Sequence, residues 1–438
     1  IDSWPYWEDF FARGTVVFEP NDALRVKGKL TYNESKIEGG SIMAQQRIIC
    51  PLGAPQLQPD FPCKADRDIY AGNGRPEDVA LAAGAPSTNG IGFRNNQQIL
   101  GTVQVDYKLT PDLIATSVSG YYMFDEVNAH DASIGPRAVL LVPYLPFEMN
   151  QFTQEVRLAS DWDFPVNFTL GAFYETRDTY GAQDAVITAF PPASFSIGQE
   201  QTFQDQEAFS IFGQLLWDVT DRLEISGGVR YSEEEKDLRF LHRGVDVTAN
   251  LATDNLSFDN LSPELTVSYD LTDDVMLFGS YKEGFKSGGF DGGFTNGAIA
   301  AGNFANTFDE ETVTGFEGGV KATLFDQLVL NVTAYEFDYE DLQVGAFDPD
   351  SISFKVLNAA AAKVRGIEAD INWRTPAEGL WIRGSLALND AKFEDFLSGC
   401  YLGQTVALGC NLNLNTTTGA YLQQDLSGRQ MNNAPDVA

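Results

Sequence analysis

Apolar and polar residues alternate with a period of two along much of the chain. From Ile99 to Leu109 one face carries Ile99, Gly101, Val103, Val105, Tyr107 and Leu109; the other carries Leu100, Thr102, Gln104, Asp106 and Lys108. Leu223, Ile225, Val229 and Tyr231 are set against Glu224, Ser226 and Arg230 in the same way, and Leu265, Val267, Tyr269 and Leu271 against Thr266, Ser268 and Asp270. Successive side chains of a strand point to opposite sides of its sheet, so this period predicts strands with one apolar and one polar face. Val103, Val105, Leu223, Ile225, Leu265, Val267, Ile367 and Ile371 fall on the apolar face. Gln104, Glu155, Arg157, Glu224, Glu264, Glu317, Lys321, Glu368 and Asp370 fall on the polar one.

Turn clusters rich in Asp and Pro punctuate these segments. Measured between Asp22, Asp112, Asp163, Asp221, Asp273, Asp326 and Glu378, the steps are 90, 51, 58, 52, 53 and 52 residues. Five of the six agree within seven residues, which signals a repeated supersecondary unit. Two strands around each turn give fourteen, near 8–20, 23–35, 96–109, 112–125, 150–161, 165–177, 204–218, 222–236, 260–271, 274–284, 312–325, 327–342, 354–374 and 379–392. Several exceed ten residues, enough for a tilted strand to cross a bilayer. A propeller of comparable period places four shorter strands in each blade, so hairpins fit better. The connections at the opposite end, 36–95, 126–149, 178–203, 237–259, 285–311 and 393–438, are long and irregular. Short turns at one end and long loops at the other are the plan of outer-membrane barrels. The predicted class is therefore all-β, an antiparallel transmembrane barrel of long hairpins. Tyr122/Phe124, Tyr335/Phe337/Tyr339 and Trp373 are expected to close the apolar faces as an aromatic girdle.

Composition narrows the function. Of 438 residues, 29 are Lys or Arg and 62 Asp or Glu, a formal charge of −33 that excludes a nucleic-acid binder. The longest mostly apolar stretch, Ala138 to Phe147, is too short for a membrane helix and holds two prolines. His130 and His242 are the only histidines, and no G-x-S-x-G, P-loop or dinucleotide fingerprint occurs. No catalytic residue, metal site or cofactor is predicted, and the protein reads as a non-enzyme. Glu233-Glu234-Glu235 reads as a solvated strand end, and Asp348-Pro349-Asp350-Ser351 as a loop turn. Cys50/Cys63 and Cys400/Cys410 form two local pairs, spaced too widely for zinc. They suggest two loop disulfides in an oxidising compartment, with four free thiols the alternative.

Four segments resemble the barrel of TonB-dependent outer-membrane receptors. Tyr281-Lys282-Glu283-Gly284-Phe285-Lys286-Ser287-Gly288-Gly289-Phe290 is similar to the family's strand-end motif, and Asn358-Ala359-Ala360-Ala361-Ala362-Lys363-Val364-Arg365-Gly366-Ile367-Glu368 to its Asn-Ala-x-x-Ala-x-x-x-Gly-x-Glu pattern. Thr314 to Lys321 resembles its Glu-x-Gly-x-Lys strand, and Gln154-Glu155-Val156-Arg157-Leu158 its Gln-Glu-x-Arg-Leu strand. Family barrels have 22 strands around a plugged lumen. The plug and coupling box that precede such barrels are not visible in this chain, nor is a terminal strand ending on an aromatic. Residues 1–438 are thus expected to be a barrel fragment of about 14 strands.

The resemblance implies energy-coupled import of a ferric siderophore or similar scarce nutrient, with a TonB-type inner-membrane coupler and outer-membrane lipid as partners. The alternative is a passive outer-membrane porin. Ligand contact is expected on the external loops, with Arg94, Phe285 and Lys286 as candidates beside the near-neutral loop 36–95.

Overall fold

The computed structural model describes residues 6–39, 81, 88, 91–131, 140–190, 193–291, 307–348, 353–359, 361–401, 404–416 and 419–438. Fourteen long strands follow one another in a single antiparallel sheet, each paired with its neighbours in sequence. They are β1 (Tyr6–Asn21), β2 (Leu24–Glu38), β3 (Phe93–Thr110), β4 (Leu113–Asp131), β5 (Leu140–Ser160), β6 (Val166–Phe190) and β7 (Ala193–Thr220). The wall continues as β8 (Leu223–His242), β9 (Asn255–Thr272), β10 (Val275–Lys286), β11 (Glu311–Leu324), β12 (Leu328–Glu340), β13 (Ala362–Arg374) and β14 (Trp381–Phe393). Residues 429–438 lie antiparallel against the free side of β14, bridging at Leu388–Val437 and Lys392–Gln430. Among the described residues no helix is long and apolar enough to cross a membrane; the crossing is made by strands.

Side chains close the short turns. Asn21 Oδ1 accepts hydrogen bonds from the Ala23 and Leu24 amides, and Thr220 Oγ1 accepts from Arg222 and Leu223. Thr272 Oγ1 accepts from Asp274 in the next hairpin. Short Asn and Thr side chains bond the backbone two or three residues on, which is why these types recur at the turns.

Register carries the two faces unbroken from strand to strand. One row runs Val105, Ser117, Val156, Ala172, Ile211, Tyr231, Leu261; beside it runs Gln104, Val118, Glu155, Phe173, Ser210, Ser232, Asn260. Further along, Leu277, Val320, Val332, Ala369 and Leu386 continue the apolar side. The polar face is the concave one. Gln214 bonds Glu264 across Gly228 at 3.2 Å, and Tyr335 reaches Asn389 across Gly366 at 3.5 Å, so side chains two strands apart meet there. Strands that far apart are separated by roughly 10 Å of backbone, a gap that curvature and a glycine between them close. The convex face leaves Val156, Ile211, Leu215, Leu261 and Phe316 more than half exposed. Such a continuous apolar surface needs lipid.

Three expectations are corrected. Strand pairing continues through most of 178–203, because β6 and β7 run far past the apolar band; once a hairpin leaves the bilayer both faces meet water and the alternation fades while the ladder persists. The strand expected over 354–374 is two elements: Ser353–Ala359 pairs with Leu342–Asp348 as a separate hairpin, and β13 starts at Ala362. Tyr122, Phe124, Tyr335, Phe337 and Tyr339 take the inward phase instead of forming a lipid girdle. Glycines seat two of these rings: a Cβ on Gly315 would lie 2.0 Å from the Phe337 ring, and one on Gly366 2.6 Å from the Tyr335 hydroxyl. The outward aromatics at this height are Tyr121, Phe152, Tyr174, Phe209, Tyr281 and Phe316.

Beyond the wall, Leu397–Gly399, Cys410–Asn415 and Ala420–Asp425 form a three-stranded sheet tied by a Cys400–Cys410 disulfide. The predicted Cys50–Cys63 pair lies outside the described residues.

Two outcomes follow. Val229→Arg, near the middle of the outward apolar band, costs about 2–4 kcal/mol of stability in phospholipid bilayers, whereas inward Ser226→Arg costs far less; urea titrations of the two variants check this. Replacing Cys400 and Cys410 by Ser loosens 397–425 by about 3 kcal/mol on the chain-entropy account. Limited proteolysis then cuts in this segment while the circular-dichroism strand signal stays unchanged.

Candidate functional site

The inner face of β6, β7 and β8 carries a polar cavity of about 550 Å³, roofed by residues 285–290. The anchor of that roof is Lys236, only 8% exposed. Its position on β8 is inward by phase. Its ammonium donates to the Gly288 carbonyl at 2.6 Å and to Ser287 Oγ at 3.0 Å, and pairs with Glu234 at 2.8 Å. Ser287 in turn donates to Glu234 Oε1 at 2.9 Å. Burying an ammonium is costly unless every proton finds an acceptor, and here the roof segment supplies two of them. Gly288 allows this approach, because any Cβ there would lie 2.3 Å from the Phe308 carbonyl oxygen and 2.7 Å from the Phe258 ring.

A second set of amides ties the roof to the neighbouring hairpin. Gln343 Nε2 donates to the carbonyls of Ser287 (3.0 Å) and Asp309 (3.1 Å), and its own backbone amide donates to Glu311 at 2.8 Å. Asn358 donates through Nδ2 to the carbonyls of Asp309 and Asp341, and accepts from the Asp309 amide at 2.8 Å. Two segments singled out in the sequence, 281–290 and 358–368, thus meet around one junction. Higher on β8 a small apolar cluster of Leu238, Phe240 and Leu251, with Val247 and Phe290 against it, braces the loop that follows that strand.

Two of the four cations that line the cavity pair with carboxylates. Arg177 meets Glu175 at 3.1 Å, and Lys236 meets Glu234. Arg230 instead sits 5.5 and 5.6 Å from the Phe173 and Phe212 ring centres and donates to Ser210 Oγ at 2.9 Å and Ser232 Oγ at 3.3 Å. Far along β7, well past the apolar band, burial pushes the Glu200 carboxyl up to about 7. Its register partner His242 is lowered by burial and by Arg243, and the His242 Nδ1 is buried with no hydrogen-bond partner among the described residues. At the strand entrance, burial and then Asp259, Asp309 and Asp341 raise the Glu310 carboxyl.

The three predicted contact residues do not gather in one place. Lys286 and Phe285 border the cavity. Arg94 lies on β3, held by Glu126 at 2.7 Å through both Nε and Nη2, and anchors its own wall. The Glu233-Glu234-Glu235 run alternates as a strand should: Glu234 serves Lys236 on the inside while Glu233 accepts from the Tyr231 hydroxyl on the other face. Sequence reasoning missed Arg177, Arg230 and Lys236; the usable signal was their shared inward phase on neighbouring strands.

Lys236→Met removes the roof's acceptor-matched cation and strands Glu234. Hydrogen exchange of 286–291 then quickens by about tenfold or more, consistent with a loss of about 1–3 kcal/mol, while exchange in β10 and β11 is unchanged.

Comparison with known proteins accords with this architecture. The TonB dependent receptor-like, beta-barrel family profile matches residues 61–437. The pesticin receptor of Yersinia enterocolitica is 23% identical over 325 residues, covering 73% of this chain and 44% of that protein. The crystal structure of the ferric yersiniabactin uptake receptor of Yersinia pestis superposes with a TM-score of 0.65 at 16% identity, covering 88% of this chain and 52% of that one. The siderophore receptor of Acinetobacter baumannii gives 0.66 at 15% identity, covering 99% and 61%. The chain spans about half the length of the relatives it matches. With its lipid-facing hairpins, its inward polar wall and a profile match over most of its length, the chain belongs to the TonB-dependent receptor family of outer-membrane β-barrels.

Proposed function

We propose that the protein is part of an energy-coupled outer-membrane importer for a ferric siderophore or a nutrient complex of similar size. The observation that carries this reading is the roofed polar cavity on the inner wall. A passive pore gains nothing from folding a loop inward and locking it with a buried lysine, since this narrows the water path. A receptor gains a shaped surface beside the route its ligand takes. A barrel that contains a wall of fourteen strands has too wide a lumen for side chains alone to fill, so the passage needs a plug, and a plug needs an energy source to move it. The names of the ferric yersiniabactin uptake receptor and the siderophore receptor support the same substrate class. The partners that follow are a plug domain, a TonB-type inner-membrane coupler and the surrounding lipid, with no nucleic acid.

Cells expressing the full-length gene should accumulate radiolabelled iron from the cognate complex only while the coupler and the proton gradient are intact. Deleting the coupler brings uptake to background. Uptake that persists unchanged in the deletion strain identifies a passive channel instead.

A further inference from the structure

Four short turns of the wall close in the same way. Their last register pairs are Asn21–Leu24, Thr110–Leu113, Thr220–Leu223 and Thr272–Val275. In each, the Asn or Thr oxygen accepts from an amide of its own turn, and the tip beyond carries Asp22, Asp112, Asp221 or Asp273. The hairpin of β11 and β12 closes instead on Leu324–Leu328. Leucine offers no acceptor, so backbone holds the turn: the Gln327 amide donates to the Leu324 carbonyl at 3.1 Å. Phe325 then sits at φ 57° and Asp326 at φ 56°, in the left-handed region where a Cβ carries a steric cost. The 375–380 turn enters the same region with Gly379, at φ 78°. Phe325 is also 85% exposed, more than any other large apolar side chain among the described residues. A strained backbone and a bare phenyl ring are two separate costs at one residue.

What offsets them lies on the same edge of the wall. Register runs Leu324, Leu328, Trp373, Ile382 along the outward phase, so the lipid-facing surface stays apolar down to its last row, and Phe325 is the next residue. The Arg374 amide donates to the Gln327 carbonyl at 2.8 Å, which ties the tip to the end of β13, next to Trp373 in sequence. In the four capped hairpins a polar pair and an Asp bring the chain to water; here the apolar row continues into the turn. Short turns lie at the periplasmic end of outer-membrane barrels. We propose that Phe325 anchors the β11–β12 turn at the boundary of headgroups and acyl chains in the inner leaflet, so that this turn ends inside the bilayer interface and not in the periplasm. Removing the ring from water there offsets the strain of holding it. Both departures, the missing cap and the phenylalanine, run toward lipid. The anchor belongs to the barrel and holds whatever ligand the protein takes.

The test uses the full-length receptor in nanodiscs, with Phe325→Trp as the probe. The emission gained over the wild type should be largely quenched by a phosphatidylcholine brominated on its acyl chains near the headgroup, and should resist aqueous iodide. A second variant, Phe325→Asn, separates anchoring from strain. Asn enters the left-handed region more readily than Phe, so a turn standing in water is unchanged or stabilised by it. An anchored turn loses its ring, and the unfolding constant from urea titrations in vesicles of the same lipid rises about threefold or more, part of the transfer free energy of a phenyl group. Heat-modifiable gel mobility verifies that each variant is folded, and either measurement decides alone should the other variant fail to assemble. Gained emission that iodide quenches and brominated lipid does not puts the turn in the periplasm, within reach of a soluble partner, and overturns the proposal. A Phe325→Asn protein at least as stable as the wild type overturns it equally.

Discussion

A backbone amide or carbonyl in hydrocarbon has no water to bond, and each one left unpaired costs several kcal/mol. That constraint governs the protein. It makes wall strands pair with their neighbours along their membrane-crossing length, and it favours antiparallel neighbours, because a parallel pair would need a connection that recrosses the membrane. The two-faced side-chain pattern then follows from the pleat, since one side of each strand meets acyl chains and the other meets the lumen. Past the end of β10 the segment 287–290 turns to the inside, where Gln343 donates to the Ser287 carbonyl, Lys236 to the Gly288 carbonyl, and Gly289 and Phe290 pair with Phe308 and Thr307.

The part of the fold read most directly from sequence is the part that lipid constrains most. Val103 and Gln104, or Leu265 and Glu264, declare their faces because a reversal would put an amide or a carboxylate into hydrocarbon. The hairpin turns declare themselves because Asn21, Thr220 and Thr272 have side chains suited to closing them. Outside the bilayer the pressure disappears. Asp178 pairs in register with Asp205, and Thr179 with Gln204, with nothing apolar to mark the phase, so this extension looks like a loop in sequence. The inward aromatics mislead for the opposite reason: Tyr335 and Phe337 look like membrane anchors, yet they lie over Gly366 and Gly315, a pairing visible only once the strands are aligned.

The candidate site was legible only in outline. Lys286 and Phe285 stood out through a motif, but the motif's role in pinning a roof depends on Lys236, fifty residues upstream, and on Gln343 and Asn358 downstream. Arg94 looked like an available cation until register brought Glu126 against it. Charge pairing across strands is a long-range property. No local reading of Arg230 shows that it meets two rings and two serines and no carboxylate among the described residues.

The β6–β7 hairpin has one more consequence. Its strands hold 25 and 28 residues. At about 3.3 Å per residue and a tilt near 40°, such a strand rises roughly 70 Å, against an apolar band of about 25 Å. Some 40 Å of paired backbone therefore stands clear of the membrane, stiffened by its own ladder. Anything approaching the cell that is too bulky to reach the lipid surface, such as an antibody, a phage tail fibre or a toxin, meets this mast before it meets the pore. Among the described residues this hairpin, built from the two longest strands, offers such a particle its first surface.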